Sequence, residues 1–279
     1  MIIQHNISAI FAQRTLNQTD GLLQKNLEKL SSGFRINSAA DDAAGLAISE
    51  TMRSKINGMK VATRNTQDAI SLIQVAEGAF IEVTSMIQRL RELAVQSSNG
   101  TYTSSDRSKI QVEVNQLLSE MNRVGSVTQF NGLQILSGVG GASMTFHVGA
   151  DYDDTIGISI STMSSAKLGI TELDSRISGN IGIQTSEGAS SAISMLDNAL
   201  ASINTQRANL GAFQNRLEHT LTNLGISQEN MQAAESRIRD LDMATEISDY
   251  TKNQIISQAG IAMLAQANLK PQSILKLLQ

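Results

Sequence analysis

The stretch MKVATRNTQDAISLIQVAEGAFIEVTSMIQRLRELA, residues 59–94, repeats apolar or small residues at alternating steps of four and three. When the repeat is extended back to Ile48, the charged Lys55 is the one residue at these positions that is neither apolar nor small. A sustained 3.5-residue spacing predicts a long helix that packs lengthwise on other helices. The predicted positions of the stripe are Ile48, Met52, Met59, Ala62, Thr66, Ala69, Ile73, Ala76, Phe80, Val83, Ile87, Leu90 and Ala94.

Two further segments can cover this stripe. The shorter one carries Ile110, Val114, Leu117, Met121 and Val124. The longer one carries Ile193, Leu196, Leu200, Ile203, Leu210, Leu217, Leu221, Leu224, Met231 and Ile238. We therefore predict a mainly α fold, an elongated antiparallel bundle of long helices, because an isolated helix with such a stripe is unstable in water.

The segments between the helices carry turn and strand signals. The Asn-Gly pair within residues 129–138 and the Asp-rich turn within residues 143–162 predict β-hairpins, so that a small β region spans about 129–162. In NGTYTSSDRSK, residues 99–109, Ser105 or Asp106 is the expected helix N-cap. Residues 163–190 are rich in Ser, Gly and Thr without a strong period, and we predict that they form an exposed tip.

Both ends of the chain are amphipathic. We expect them to pair with each other or with another copy, because apolar surface on the ends of a rod-like molecule requires a partner. The residues predicted to carry this terminal assembly are Ile3, Ile7, Ile10, Leu23, Leu27, Leu30, Ile256, Met263, Ile274 and Leu277.

The composition excludes several classes of function. The net charge of −4 over 279 residues lacks the basic surface expected for nucleic-acid binding. No apolar run reaches the length of a membrane span, so we expect no membrane insertion. The N-terminal residues lack the pattern of a cleaved secretory signal. The chain also has no cysteine that could form a disulfide or bind a metal as thiolate.

No constellation of residues indicates an enzyme or a metal site. The three histidines, His5, His147 and His219, have neither HExxH nor i, i+4 spacing, and no GxSxG motif occurs. The adjacent Asp41 and Asp42 are interpreted as capping the helix that begins with AAGLAIS, since neighbouring carboxylates point in different directions. We expect no cofactor, no metal and no catalytic residue.

Six motifs in order resemble bacterial flagellin over about residues 1–165 and 190–279. They are LSSGFRINSAADDAAGLAISE, QRLRELAVQ, TQFNG, RANLGAFQNRLEHT, AESRIRDLDMATE and AMLAQANLKPQSILKLLQ. The resemblance implies a terminal coiled-coil core domain of residues 1–35 with 245–279. It further implies connectors at 36–44 and 240–244, and a helical shell domain at 45–240. Larger members of the family insert outer domains where this chain has only its predicted tip.

The resemblance also implies roles for individual residues. The connector residues, within or between subunits, are Gly33, Arg35, Asp41, Asp42 and Gly45, with the two glycines permitting bends and the charged residues forming salt links. The residues that match the family's contact with the flagellin-sensing Toll-like receptor are Arg89, Leu93, Gln96 and Glu113. From the residues alone, an exposed Leu93 beside Arg and Gln indicates either a contact patch or a solvated helix face.

By resemblance, the expected function is that of a structural subunit that polymerises into the flagellar filament for motility. The implied partners are further copies of the chain, an export chaperone on the C-terminal segment, and filament cap and junction proteins. Secretion would proceed through the flagellar type III apparatus, to an external filament or to a periplasmic one as in spirochaetes. The alternatives are a hook–filament junction protein and a soluble coiled-coil binding module.

Overall fold

The computed structural model describes residues 6–137, 143–174 and 182–277, with side chains up to residue 269 except that of Ser143. Over these residues the chain is mainly α-helical, as predicted, with two small antiparallel sheets. The helices are α1 (Ile7–Ser32), α2 (Ala43–Ser98), α3 (Ser104–Val127), α4 (Ser186–Arg239) and α5 (Met243–Leu277). The strands are β1 (Gln129–Phe130), β2 (Leu133–Gln134), β3 (Ser143–His147) and β4 (Thr155–Ser159).

The chain divides into two compact units. The first comprises Met1–Ile56 and Glu229–Gln279, and the second comprises Asn57–Gln228. The first unit therefore holds α1, α5, the segments that connect them to the long helices, and the adjoining ends of α2 and α4. The domain limits predicted from the sequence follow the helix ends instead, and they stay predictions.

The stripe predicted for α2 is buried from Met59 to Ala94. Its first positions are wrong, because Ile48 is exposed whereas Ser49 and Ile56 are buried. The buried repeat thus runs through Gly45, Ser49, Met52, Ile56 and Met59, with Met52 half-buried. The predicted repeat was one residue out of phase at this end of α2. Ile56, and not Lys55, occupies the position between Met52 and Met59, so the repeat is not interrupted.

In the second unit α2 packs antiparallel to both α3 and α4. Arg89 of α2 pairs with Glu113 of α3 at 2.9 Å. Arg91 pairs with Asp197 of α4 at 2.7 Å, and Glu77 lies 3.8 Å from Arg207. Residue numbers rise along α2 as they fall along α4, which gives the antiparallel direction. Because α2 is covered from two sides, its buried surface is wider than a single coiled-coil stripe.

The turn before α3 ends in a capping box. Thr103 is the N-cap residue, and its hydroxyl accepts a hydrogen bond from the backbone N–H of Asp106. The Asp106 carboxylate in turn accepts from the N–H of Thr103. The prediction of Ser105 or Asp106 as N-cap is therefore wrong, although Asp106 takes part as the reciprocal residue of the box.

Both predicted hairpins form. Asn131 and Gly132 join β1 to β2 with φ angles of 49° and 79°, the left-handed values that the tight hairpin turn needs. In the second hairpin β3 pairs with β4 from Ser143↔Ser159 to His147↔Thr155. Ile156 and Ile158 of β4 point into the core of the second unit, and the alternating residues Thr155, Gly157 and Ser159 are exposed.

The prediction of an exposed tip at residues 163–190 is wrong for several described residues, because Met163, Ile170, Leu173 and Ile183 are buried in the core. The buried side chain of Gln111 holds the segment in place. Its Nε2 donates to the carbonyl of Leu173 at 2.7 Å, and its Oε1 accepts from the N–H of Ile183 at 2.7 Å. Leu173 and Ile183 are therefore held in the core by hydrogen bonds to a residue far away in the sequence, and not by a regular helical or strand repeat of their own.

One 18-residue window of α2 has a mean hydropathy of 1.4 with at most two charged residues. By length and composition this helix therefore meets the criterion for a membrane span, contrary to the expectation from the sequence. A buried core helix meets the same criterion, and 39% of the window is buried within the protein. The apolar stripe of α2 is already engaged with α3 and α4 in the core.

The core of the second unit gives a first prediction. Phe80 is fully buried on α2, and the next residue, Ile81, is 49% exposed. Phe80→Ala should lower the free energy of unfolding by about 3–5 kcal/mol, because it removes apolar contacts and leaves a cavity. Ile81→Ala should change it by only about 0.5 kcal/mol. Urea unfolding of monomeric full-length chain measures both, and equal effects would contradict this packing.

Candidate functional site

Residues 33–42 and 240–242 connect the terminal helices to the long helices, and we call these two segments the joint. Gly33 ends α1 with a φ of 75°, and its N–H donates to the carbonyl of Lys29. The predicted bend at Gly33 is thus present, since this left-handed conformation favours glycine. The two segments then run antiparallel, with a bridge between Phe34 and Asp240 and a hydrogen bond from Leu241 N–H to Gly33 O.

Two arginines fasten the joint. The guanidinium of Arg35 donates to the carbonyl of Ile238 at 2.6 Å, so Arg35 binds backbone here rather than the carboxylate expected for it. Arg239 forms an ion pair with Glu50, and its guanidinium lies 4.9 Å from the ring centre of Phe34. Sequence reasoning missed Arg239, Glu50 and Phe34, because residues nearly 200 positions apart give no local signal.

The acidic pair of the joint performs two different tasks. Asp42 Oδ1 accepts from the N–H of Gly45, as the predicted capping of α2 requires. Asp41 instead accepts from the N–H and the hydroxyl of Ser38 and closes the preceding turn. Gly45 lies inside α2, so the prediction of a bend there is wrong. A Cβ at Gly45 would come within 2.8 Å of Ile36 Cδ1, so close packing accounts for this glycine.

Three carboxylates in or beside the joint, those of Glu50, Asp41 and Asp242, have lowered pKa values. The hydrogen bond from Arg239 is the main cause of the lowered pKa of Glu50. The pKa of Asp41 is lowered chiefly by the hydrogen bond from the backbone N–H of Ser38. The hydroxyl of Thr245 has the largest effect in lowering the pKa of Asp242, which precedes α5. The hydrogen bonds around the joint thus favour the charged form of these three carboxylates.

The terminal helices α1 and α5 pair antiparallel in the first unit. Asn6 donates to the carbonyl of Ala267 at 2.9 Å, and Ser257 donates to Asp20 at 3.1 Å. The side chains between them alternate in steps of three and four, and we call this contact the pairing seam. On α1 it comprises Ala9, Ala12, Leu16, Thr19, Leu23, Asn26 and Leu30; on α5 it comprises Glu246, Tyr250, Asn253, Ser257, Gly260, Leu264 and Ala267.

Most of the large apolar side chains of α1 and α5 point away from the pairing seam. Ile7 is 68% exposed and Met263 is 65% exposed. We call this set the outward apolar residues: Ile7, Ile10, Phe11, Leu22, Leu27, Ile247, Ile255, Ile256, Ile261, Met263 and Leu269. Patches of this kind mark interaction surfaces.

The outward apolar residues include five of the residues predicted for terminal assembly, namely Ile7, Ile10, Leu27, Ile256 and Met263. Leu23 and Leu30 are half-buried in the pairing seam. Ile3, and the side chains of Ile274 and Leu277, lie outside the part of the chain that the structure describes.

The residues predicted for receptor contact lie on the second unit. Arg89 is held between Glu113 and Glu92, each at 2.9 Å, and Gln96 donates to the hydroxyl of Tyr102. Leu93 is only 2% exposed, so its predicted exposure is wrong. The sequence argument assumed one buried stripe on α2, whereas Leu93 lies on the second face that the bundle covers.

Comparison with known proteins agrees with this architecture. Residues 3–140 match the bacterial flagellin N-terminal helical region, and residues 193–278 match the bacterial flagellin C-terminal helical region. The chain is 54% identical to the flagellar filament 33 kDa core protein of Treponema phagedenis and 45% identical to flagellin of Bacillus subtilis strain 168, each over the full length of both chains.

Among solved structures, the crystal structure of Bacillus cereus flagellin matches with 29% identity and a TM-score of 0.49, covering 62% of this chain and 94% of that one. The two family regions together span most of the chain, from the terminal helices through both long helices of the bundle. The chain belongs to the bacterial flagellin family.

Proposed function

We propose that this chain is the structural subunit of a bacterial flagellar filament and polymerises for motility through α1 and α5. The observation that carries the proposal is the exposure of the outward apolar residues. Fully burying one such side chain contributes roughly 1.5–3 kcal/mol, so several of them together supply a strong drive to associate. Further copies of the same chain are the partners that cover them.

The distribution of these residues favours a filament over a discrete dimer. At 100° per residue, Phe11 and Leu27 point about 160° apart around α1, and Ile256 and Ile261 point about 140° apart around α5. A single partner covers only one side of the pair. Neighbours on several sides are needed, and heterologous contacts that do not close provide them in an open helical assembly.

The two alternatives are supported less well. A soluble coiled-coil binding module would bury its apolar residues within one oligomer, which the spread of apolar side chains around α1 and α5 disfavours. A hook–filament junction protein would share the terminal helices. The relatives that match over their full length are named flagellin or flagellar filament core protein, which supports the filament subunit.

Partners other than further copies follow from the family resemblance. We propose secretion through the flagellar type III apparatus, with an export chaperone on the C-terminal segment and with cap and junction proteins at the filament ends. The absence of cysteine fits a chain that stays unfolded during export. We propose a Toll-like receptor contact through the exposed Arg89, Gln96 and Glu113, without the buried Leu93.

We propose that the joint holds the connecting segments in a fixed arrangement when subunits assemble. Gly33, Arg35 and Asp41 set the path of the chain after α1. Arg239 ties that path to α2 through Glu50. Because hydrogen bonds and an ion pair hold the joint together, its rigidity depends on the charge of the carboxylates that form them.

Substitution of an outward apolar residue tests the assembly proposal. Ile10→Ser should leave the fold of the soluble subunit unchanged, since Ile10 is largely exposed, yet raise the critical concentration for polymerisation roughly ten- to hundredfold. Ile10→Val, which keeps most of the apolar surface, serves as the matched control and should lie near the wild type. Seeded polymerisation followed by sedimentation and negative-stain electron microscopy gives the measurement.

Two results would count against the proposal. Tubes of Ile10→Ser at the wild-type critical concentration would show that this part of α1 is not an assembly contact. Small defined oligomers of the wild-type chain, despite seeds, would favour the coiled-coil module over the filament subunit.

The joint should loosen in acid. The pKa values of Glu50, Asp41 and Asp242 are lowered, so their stabilisation is complete above the ordinary carboxyl pKa of about 4–4.5 and is lost as the pH falls through the lower folded-state values. Mass spectrometry of the joint after limited proteolysis with an acid-active protease between about pH 5 and pH 3 should show rising cleavage.

Glu50→Gln should make this cleavage less dependent on pH and higher at pH 5, because the ion pair with Arg239 is already weakened. Glu229→Gln, an exposed carboxylate on α4, is the control and should behave like the wild type. Cleavage of Glu50→Gln that matches the wild type at every pH would rule out the ion pair as a fastener of the joint.

A further inference from the structure

The two buried residues of α1 are polar. Thr19 is 6% exposed and Asn26 is 7% exposed, and both lie in the pairing seam. They are seven residues apart, so they occupy equivalent positions of the heptad. The most enclosed part of the seam is therefore filled by an hydroxyl and an amide, while larger apolar side chains of α1 face outward.

These two polar residues are satisfied in different ways. The hydroxyl of Thr19 donates to the carbonyl of Thr15, within its own helix, at 3.0 Å. The amide of Asn26, oriented so that both of its ends are satisfied, reaches across to α5. Its Nδ2 then donates to the carbonyl of Leu22 in its own helix at 2.9 Å and lies 3.3 Å from Glu246 Oε1. Its Oδ1 lies 3.3 Å from Asn253 Nδ2 and from the N–H of Tyr250, so the amide oxygen is satisfied only by α5.

The small residues of the seam offer little resistance to sliding. Away from the joint, α5 contributes Ser257, Gly260 and Ala267 beside Leu264, and α1 contributes Ala9 and Ala12 beside Leu16. Small side chains interlock weakly, so the two leucines are the larger apolar contacts that a shift along the axis changes there. A buried asparagine resists such a shift in addition, because moving it away from α5 leaves its amide oxygen unsatisfied.

We infer that Asn26 is a positioning residue that fixes the register of α1 on α5. The joint sets the register at one end of the pair, near Gly33 and Leu241, so a shifted register also requires these hydrogen bonds of the joint to open. Asn26 extends that register into the helices through contacts that one stretch of α5, residues 246–253, provides. A displacement by one heptad would replace Glu246 by Asn253 and would place Gly260, which has no side chain, where Asn253 Nδ2 donates to the amide oxygen. The inference rests on the pairing within this chain, and its consequence for assembly rests on the proposed function.

Disulfide trapping in the full-length chain tests the inference, because the native chain has no cysteine to compete. A Cβ at Gly260 would lie 3.3 Å from Leu16 Cδ1, so Leu16→Cys with Gly260→Cys reports the native register. Leu16→Cys with Ala267→Cys reports a shift of one heptad. That shift is about 10 Å along the helix, which is beyond the reach of a disulfide in the native register.

Each cysteine pair is combined with Asn26→Val or with Thr19→Val as the matched control. Oxidation is carried out on soluble chain and on polymerised chain. Mixing isotopically light and heavy protein separates links within a chain from links between chains in the mass spectrum. The measured quantity is the ratio of native-register to shifted links within a chain.

Asn26→Val should lower this ratio about tenfold, as expected for loss of a buried hydrogen bond that includes a charged acceptor. Thr19→Val should leave the ratio near the wild-type value, since its hydroxyl bonds only within α1. A role in stability alone would reduce both kinds of link together and leave their ratio unchanged, which would overturn the inference.

Failure of the inference can be told apart from failure of the proposed function. A wild-type chain that forms no native-register link, soluble or polymerised, would overturn the pairing itself. A wild-type chain that forms native-register links in solution but never polymerises would contradict the filament proposal and leave the role of Asn26 measurable.

Discussion

The central constraint on the first unit is that its terminal helices pair mostly through small and polar side chains and leave most of their larger apolar ones outside. Ala9, Gly260 and Ser257 allow the helices to approach, but they bury little apolar area. A helix pair of this kind gains little from its own contact. Its stability depends on what covers the outward apolar residues.

Magnitudes indicate that several neighbours are needed. Because the outward residues are already about half-buried, burying the rest of five of them would contribute roughly 4–8 kcal/mol, half of 1.5–3 kcal/mol each. The loss of translational and rotational freedom on association costs about 4–15 kcal/mol. A subunit that meets neighbours on several sides uses more of these residues than a dimer does. The outward apolar residues therefore favour an assembly in which each subunit contacts several neighbours over a dimer.

The two units differ in how far their stability depends on contacts with further copies of the chain. In the second unit, residues such as Phe80, Leu90 and Leu196 are fully buried within one chain. That core requires no second copy. The first unit has few enclosed apolar residues, and the joint that connects its helices is a set of hydrogen bonds and one ion pair. Folding of the second unit can thus precede assembly, whereas the first unit is completed by it.

The sequence predicted the helices well because their periodicity is local and long. It predicted the Asn131-Gly132 turn for the same reason, since the turn chemistry is contained in two residues. It failed for Leu93, because one stripe was assumed where α2 has neighbours on two sides. The sequence analysis failed for Leu173 and Ile183, which are buried beside Gln111, many residues away, and bond to its side chain.

In the candidate site, too, local features could be predicted from the sequence, whereas contacts between distant segments could not. Exposure of Ile10 and Met263 was predicted from their place on amphipathic ends, whereas the clasp between Arg239 and Glu50 could not be, because only the antiparallel pairing of distant segments brings them together. The pairing seam was predicted only in part, through Leu23 and Leu30. Most of its other residues are small or polar, so a search for apolar repeats identifies mainly the surface offered to other copies. In a subunit that assembles with further copies, the most apolar face of a helix can therefore lie on the surface of the single chain and not in its core.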